Sequence, residues 1–183
     1  MIDAMKTRTS VRTYDGEPLG EKDKKRIREF VQEAKGFYNI PIRIELIDGE
    51  MDTEGKGVKL GTYGMIKGGK CYLVAALKPV DNAYVELGYV MEQIILKATE
   101  MGLGTCWLGG TFDRKAFGEA MVLKDGEIVA AATPVGKEAE KKRITERLMR
   151  GLVGADNRKD WKDLFFDETY GNPLRKEQAG TFG

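Results

Sequence analysis

The sequence predicts one layered domain in which helices and strands interleave, of the α/β or the α+β class. Three observations support this prediction. The length of 183 residues suits a single hydrophobic core. Two apolar runs, 70–77 and 127–135, have the length and composition of buried strands. Segment 83–101 carries apolar residues over well over half of a helix circumference, which is typical of a helix in a core or a subunit interface.

The N-terminal part is predicted to contain two helices and one strand. Residues 2–8 form a short helix, and 20–35 repeat apolar residues at helical spacing up to Gly36, which is predicted to end the helix. Residues 40–47 alternate apolar and charged side chains after Pro41, the pattern of a half-buried strand.

The glycine-rich segment 49–69 has no clear period and is predicted as a loop. Asp81 or Asn82 is predicted to cap the helix at 83–101. The remaining predicted elements are a short strand at 104–108, a helix at 113–120, a strand at 127–135 that ends at Pro134 and Gly136, a charged surface helix or insertion at 137–150, a helical turn at 160–166 and a tail at 167–183.

Charge, cysteine and histidine content exclude several functional classes. Thirty basic and 29 acidic residues leave a net charge of +1, so no global field favours nucleic acid or a membrane surface. Two cysteines without paired spacing, and an N-terminus unlike a signal peptide, predict a reduced, cytoplasmic protein. The absence of histidine removes Ser-His and Cys-His catalysis and disfavours a zinc or iron site. A cofactor that carries the chemistry itself fits this composition.

Segment 102–113 is the most informative stretch of the chain. Its first nine residues contain four glycines, one cysteine and one tryptophan. Glycine in such density indicates a sharp turn or a close approach to another surface. Two explanations remain open: main-chain N–H groups beneath a planar ligand, or a helix end at Gly102 followed by a tightly packed strand. A dinucleotide-binding motif is rejected, because these glycines follow a helix and not a strand.

Three residues near the N-terminus share one face of a predicted extended segment. Arg8, Ser10 and Arg12 lie at alternate positions and therefore point the same way. Two guanidinium groups and a hydroxyl can hold a phosphate and a ribityl chain through charge-assisted hydrogen bonds. The alternative is an ordinary solvated surface. Cys106 has apolar neighbours and is predicted to be an inert buried thiol.

Taken together, these segments resemble the nitroreductase family of FMN-dependent oxidoreductases over nearly all of residues 4–166. The motifs that carry the resemblance are Arg8-Thr-Ser-Val-Arg12 with Tyr14, Glu17 and Pro18, then Glu86-Leu-Gly-Tyr89, Gly102-Leu-Gly-Thr-Cys-Trp-Leu-Gly109, Pro134-Val-Gly136, and Arg158-Lys159 before Leu164-Phe165. The sequence is most similar to a subgroup with the Gly-Leu-Gly-Thr-Cys-Trp signature.

The resemblance implies an α+β fold with a mixed sheet flanked by helices, formed by residues 1–183 as one domain with 167–183 as a peripheral tail. It further implies a homodimer with FMN at the subunit interface, to which the apolar central helix contributes. The implied FMN-binding residues are Arg8, Thr9, Ser10, Arg12, Lys67, Trp107, Leu108, Gly109, Gly110 and Arg158.

The implied roles differ between these residues. Arg8, Ser10 and Arg12 would hold the phosphate, ribityl chain and pyrimidine edge of FMN, and Arg158 would reach the phosphate. Segment 108–110 would lie against the isoalloxazine, with main-chain N–H groups near its redox nitrogen.

The expected activity is a ping-pong transfer of hydride from NAD(P)H, through flavin, to a nitroaromatic, a quinone or a similar small oxidant. No catalytic side chain and no metal ligand is assigned. The chain departs from the family at 34–41, where an Ala-Pro-Ser-x-x-Asn-x-Gln-Pro-Trp segment is expected and not found. The alternative hypothesis is therefore a flavin-binding protein without turnover, a carrier or a degenerate relative.

Overall fold

The computed structural model describes residues 1–49, 61–140 and 159–182, and the chain divides into two compact units, Met1–Lys142 and Arg143–Gly183. In the first unit, four strands form an antiparallel sheet in the order β1-β2-β4-β3. The elements are α1 (Ile2–Thr7), α2 (Glu21–Glu33), β1 (Ile42–Asp48), β2 (Cys71–Leu77), α3 (Ala83–Glu100), β3 (Gly104–Thr105), α4 (Arg114–Met121) and β4 (Ile128–Gly136).

Antiparallel pairing assigns the chain to the α+β class, one of the two classes that periodicity left open. Among the described residues, the parallel pairing that a mixed sheet requires occurs only as two isolated bridges, Ser10 with Thr105 and Thr13 with Lys67. The prediction of one domain over 1–183 with a tail at 167–183 stays a prediction. Most of the charged segment 137–150 lies outside the described residues.

The central strand β2 is buried on both of its faces, which explains its uninterrupted apolar sequence. Alternate residues such as Leu73 pack with α2 and α3, and the residues between them, such as Val74, pack with Phe117 of α4. Every residue of β2 is buried. Because successive strand residues point to opposite faces, a strand with helices on both sides must be apolar at every position.

The strand predicted at 127–135 is confirmed within one residue at each end, and β4 ends at Gly136 as predicted, but Pro134 lies inside the strand and does not help to end it. The proline instead interrupts the ladder to β3, because it has no N–H to donate. Opposite it, the N–H of Cys106 donates to the Thr133 hydroxyl at 2.9 Å. Pairing resumes at Leu108 and Ala132, which exchange two backbone hydrogen bonds. This interruption shortens β3 and lets the following chain leave the sheet.

The loop after α2 is organised by a carboxylate of α3 and not by a glycine cap. Gly36 was predicted to end the helix, yet α2 ends at Glu33 and Gly36 lies in the loop against Glu86. The buried Glu86 accepts backbone N–H groups from Phe37 at 2.8 Å, Tyr38 at 3.0 Å and Ile40 at 3.2 Å. These bonds, with that of Tyr38 the strongest cause, lower the pKa of Glu86.

The predicted side-chain cap of α3 is also wrong. Asn82 occupies the N-cap position, but its backbone is left-handed with φ 63° and its side chain makes no capping hydrogen bond. Asparagine tolerates that conformation better than most residues, which accounts for its presence at the turn into α3. By contrast, Asp113 caps α4 as its sequence position suggests, accepting from the N–H groups of Lys115 and Ala116.

The second unit is described over residues 159–182 and consists of turns and two short 3-10 helices, Trp161–Asp163 and Lys176–Phe182. The ring of Trp161 stacks on Phe165 at 4.1 Å, and its indole N–H donates to the Leu174 carbonyl. No residue of 159–180 is fully buried, as expected for a segment with little apolar content. Within the described parts of both units, no helix combines the length and apolarity needed to cross a bilayer.

We expect Glu86→Gln to lower stability at neutral pH and to remove part of its pH dependence. The folded pKa of Glu86 lies below the ordinary value of 4.5. Its contribution is therefore complete above that value and is lost as the pH falls through the lower folded pKa. Urea unfolding at pH 7, 5, 4 and 3 checks this: the gap between wild type and variant should narrow below pH 4.5. A matched Glu119→Gln control removes an exposed carboxylate, and an equal effect there would contradict the prediction.

Candidate functional site

An extended N-terminal segment, residues 8–14, lies between two distant parts of the sequence. On one side, the N–H of Val11 donates to the Thr105 carbonyl at 2.8 Å. On the other side, the N–H of Lys67 donates to the Arg12 carbonyl at 2.9 Å, and the N–H of Tyr14 donates to the Lys67 carbonyl at 2.8 Å. These bonds bring together the predicted N-terminal, loop and glycine-rich parts of the site.

The predicted common face of Arg8, Ser10 and Arg12 agrees with their burial. All three are half-buried, whereas Val11 and Thr13 between and after them are buried. Strict alternation begins only at Ser10, since Thr9 is exposed. The three side chains therefore line a face that is neither core nor fully solvated, as expected of a ligand-facing strand.

Glu92 of α3 joins the two halves of the site, and sequence patterns did not identify it. One of its carboxylate oxygens lies 3.3 Å from Nε of Arg8, and the other accepts the indole N–H of Trp107 at 2.7 Å. Glu92 thus fixes two predicted site residues from elements far apart in sequence. The only signal was one of several charged residues in a mainly apolar helix, which solvent exposure would explain equally well.

Arg8 retains unused hydrogen-bonding capacity beside this carboxylate. Its Nη1 atom is buried and has no hydrogen-bond partner within the described chain. The hydroxyl of Thr105, the bridge partner of Ser10, is likewise buried without a partner. Buried polar atoms are satisfied in most native structures, so two unpartnered atoms on neighbouring elements make this a candidate place for a polar ligand.

The first two glycines of segment 102–110 are explained by the chain itself. Gly102 has φ +75° and ends α3 in a Schellman motif: its N–H donates to Thr99, and the N–H of Leu103 donates to Ala98. A Cβ on Gly104 would lie 2.8 Å from the Val11 side chain. The helix-end explanation is therefore correct for this part of the stretch.

Gly109 and Gly110 have no such explanation within the described structure. Neither has a left-handed φ, and a Cβ on either would meet nothing within 4 Å. Both are exposed, and only Leu108 separates them from Trp107 in the sequence. A bare backbone facing open space is suited to a flat ligand that must approach closer than a side chain allows. The helix-end explanation thus covers Gly102 and Gly104, and the ligand explanation stays a prediction for Gly109 and Gly110.

Leu108 and Cys106 belong to the core and not to the exposed surface of the site. The N–H of Leu108 already donates to Ala132 at 2.8 Å, so that N–H is not free for a ligand. The Leu108 side chain is 2% exposed. Cys106 is buried as predicted. The other thiol, Cys71, is also unsuited to nucleophilic chemistry, because burial raises its pKa to about 12.

Of the remaining predicted site residues, the structure places Lys67 and Trp107 but does not describe Arg158. Lys67 is exposed and placed beside Arg12 by its backbone, while Trp107 is half-buried and held by Glu92. Arg158 lies outside the described residues. The assembled site offers guanidinium, hydroxyl and backbone N–H donors, an arrangement suited to an anionic ligand with a planar ring.

Comparison with protein families finds one match over most of the chain. Residues 1–170 match the family described as "Putative TM nitroreductase". No curated protein sequence matches significantly.

Several solved structures share the fold at low sequence identity. A nitroreductase family protein from Clostridium difficile 630 is 19% identical, with 92% of this chain and 98% of that one covered and a TM-score of 0.67. An FMN-dependent nitroreductase from Clostridium difficile R20291 is 18% identical, with 92% and 100% covered and a TM-score of 0.65. A protein described as an oxidoreductase containing FMN is 17% identical, with 92% of each chain covered and a TM-score of 0.71. The predicted nitroreductase-like fold is thereby confirmed.

The contrast between the glycines gives a direct stability test. We expect Gly104→Ala to lower the free energy of unfolding by about 1–3 kcal/mol, because the added methyl overpacks against Val11. Gly109→Ala and Gly110→Ala should leave it unchanged or raise it by up to about 1 kcal/mol through a stiffer unfolded chain. Urea unfolding of the ligand-free proteins measures all three, and equal losses would show that 109 and 110 are packed after all.

Proposed function

This chain belongs to the nitroreductase family over residues 1–170, and from that premise we propose that it is an FMN-dependent oxidoreductase. It would pass hydride from NAD(P)H to a nitroaromatic, a quinone or a similar small oxidant in a ping-pong cycle. Two observations carry the proposal: a Cβ on the exposed Gly109 or Gly110 would meet nothing within 4 Å, and the buried Nη1 of Arg8 has no hydrogen-bond partner among the described residues.

The residues present fit FMN in both shape and charge. The backbone at 109–110 offers a surface that no side chain covers, as a planar isoalloxazine requires. The orphaned Nη1 of Arg8 and hydroxyl of Thr105 offer hydrogen-bond donors nearby in the fold. Two of the similar solved structures are described as containing or depending on FMN.

We propose that Arg8, Ser10 and Arg12 hold the phosphate, ribityl chain and pyrimidine edge, with Lys67 at the end of this row. Glu92 fixes Arg8 at 3.3 Å and Trp107 at 2.7 Å, so both are positioned before a ligand arrives. A contribution from Arg158, and membership of the subgroup with the Gly-Leu-Gly-Thr-Cys-Trp signature, are part of the same proposal.

FMN, when bound, supplies the hydride-transfer chemistry, so the chain need only bind FMN, orient the substrate over the ring and exclude water. Among the described residues nothing accepts the N–H of Gly110, which can therefore hydrogen-bond to the ring. The N–H of Leu108 already donates to Ala132 and cannot take the role expected of it. No histidine is required, because solvent can protonate the products. Catalytic groups on side chains are not part of the proposal.

We further propose that a second copy of the chain packs against the exposed side of α3. Near its N-terminal end, Tyr84 is 56%, Val85 58% and Tyr89 44% exposed. Gly88 lies among them in mid-helix, where glycine costs about 1 kcal/mol relative to alanine, and a Cβ there would meet nothing within 4 Å. Close approach of another chain accounts for both features. Since Glu92 follows one turn later, this interface would border the FMN site.

Retention of FMN by the purified protein tests the proposed cofactor directly. Wild-type protein incubated with FMN and desalted should keep a flavin absorption spectrum. Gly110→Ala should bind FMN at least about tenfold more weakly, because its methyl would occupy the space of the ring, while its ligand-free stability is retained. Titration by flavin fluorescence measures the affinities. A colourless wild-type protein would refute the proposal.

A second measurement separates the enzyme from a flavin carrier. The loaded protein, mixed anaerobically with excess NADH or NADPH, should lose its flavin absorbance, and a quinone or nitroaromatic should restore it. A protein that binds FMN without turnover would keep the oxidised spectrum with both nicotinamides. Parallel lines in double-reciprocal plots would support the ping-pong order.

The interface prediction uses a bulky residue at the open helix position. Gly88→Leu should convert a dimer into a monomer and weaken FMN binding at least about tenfold, because the side chain blocks close approach. The matched control is Arg28→Leu, which adds a similar side chain to an exposed position of α2. Sedimentation velocity with and without FMN checks the masses. A monomeric wild type that still binds FMN would contradict the proposed interface but not the proposed binding of FMN.

A further inference from the structure

Arg114, the first residue of α4, is bound to the backbone of the glycine loop. Its Nη2 donates to the carbonyl of Gly109, and its Nη1 donates to the carbonyl of Val129 in β4. The guanidinium also lies 5.1 Å from the centre of the Phe112 ring. One rigid side chain thus connects the loop to the central sheet.

The charge of Arg114 is unfavourable for the helix on which it lies. A cation in the first turn opposes the helix dipole, which favours anions there. The α4 N-terminus is already capped by Asp113. The two carbonyl contacts, and not helix stability, therefore account for arginine at this position.

Fixing the Gly109 carbonyl also fixes the N–H of Gly110, because both belong to one planar peptide group. In a trans peptide the C=O and the N–H point in opposite directions, and the described chain contains no cis peptide. The N–H of Gly110 must therefore point away from Arg114. Within the described residues no group accepts a hydrogen bond from it, and a Cβ on Gly110 would meet open space.

We propose that Arg114 is a positioning residue that holds the Gly109–Gly110 peptide so that the Gly110 N–H faces the hydride-accepting nitrogen, N5, of the flavin. This inference rests on the proposed function. A peptide between two glycines rotates more freely than any other, so without a clamp its N–H would sample many directions. Arg114 supplies that clamp from outside the ligand-binding face.

The chemistry of N5 determines whether oxidised or reduced FMN should be bound more weakly when Arg114 is replaced. In oxidised flavin N5 has a lone pair that accepts a hydrogen bond, and in reduced flavin N5 itself carries a hydrogen. An N–H directed at N5 therefore binds the oxidised ring preferentially and draws electron density from the atom that accepts hydride. Loss of this orientation should weaken oxidised FMN more than reduced FMN and slow hydride acceptance.

The test compares Arg114→Met and Arg114→Lys with a matched control, Lys115→Met, which removes the neighbouring and 86% exposed cation. In Arg114→Met the ratio of the Kd for oxidised FMN to that for reduced FMN should rise about tenfold, equivalent to a potential about 30 mV more positive. Anaerobic reduction by NADH should slow about tenfold, although a higher potential alone would speed it. Arg114→Lys, which keeps the charge and hydrogen-bond donors but lacks the fixed planar fork of arginine, should recover part of both effects.

A ligand-free readout keeps the inference independent of FMN binding. Crystal structures of wild type and Arg114→Met should show the Gly109–Gly110 peptide in one orientation in the former and rotated or in several orientations in the latter. An unchanged peptide would overturn the inference whatever FMN does. Equal weakening of oxidised and reduced FMN would also overturn it, since that is the effect of a merely structural residue. Failure of wild type to bind FMN would instead refute the proposed function.

Discussion

The fit of Gly104 against Val11 is the contact on which the candidate site depends. The absence of a Cβ at 104 lets the N-terminal segment lie flush along β3, where Val11 donates to Thr105 at 2.8 Å. Without that approach, Arg8 would not reach Glu92, and Arg12 would not meet the backbone of Lys67. A single missing methyl group therefore determines whether the N-terminal segment can lie against β3 at this point.

The sequence predicted elements whose cause is local. Strand β2 is apolar at each position because helices cover both faces, and α3 shows the same cause at helical spacing. Errors occurred where a long-range contact replaced the local rule. Gly36 does not cap α2, because the loop after the helix donates its backbone N–H groups to the carboxylate of Glu86. Pro134 does not end β4, because the N–H of Cys106 opposite it donates to the hydroxyl of Thr133 instead.

The candidate site was predictable in its donors but not in its supports. Arg8 and Trp107 belong to recognisable motifs, and their charge and ring suggest a ligand without reference to neighbours. Glu92 and Arg114 act only through partners that are distant in sequence or belong to the backbone, and surface charge would explain either one equally well. Periodicity reports which face of a helix is buried, but not which partner a half-buried carboxylate such as that of Glu92 will contact.

The four glycines of 102–110 form one motif in the sequence, but the structure gives them different causes. Left-handed backbone requires Gly102, and packing requires Gly104, so both would be needed in a protein that bound nothing. The described part of the chain gives no reason for Gly109 or Gly110, and each lacks the modest stability that alanine would add by stiffening the unfolded chain. The proposed flavin accounts for two glycines that lower stability and make no packing contact among the described residues. The hydrogen bond from Arg114 to the Gly109 carbonyl fits a site in which the orientation of this peptide matters as well as its lack of side chains.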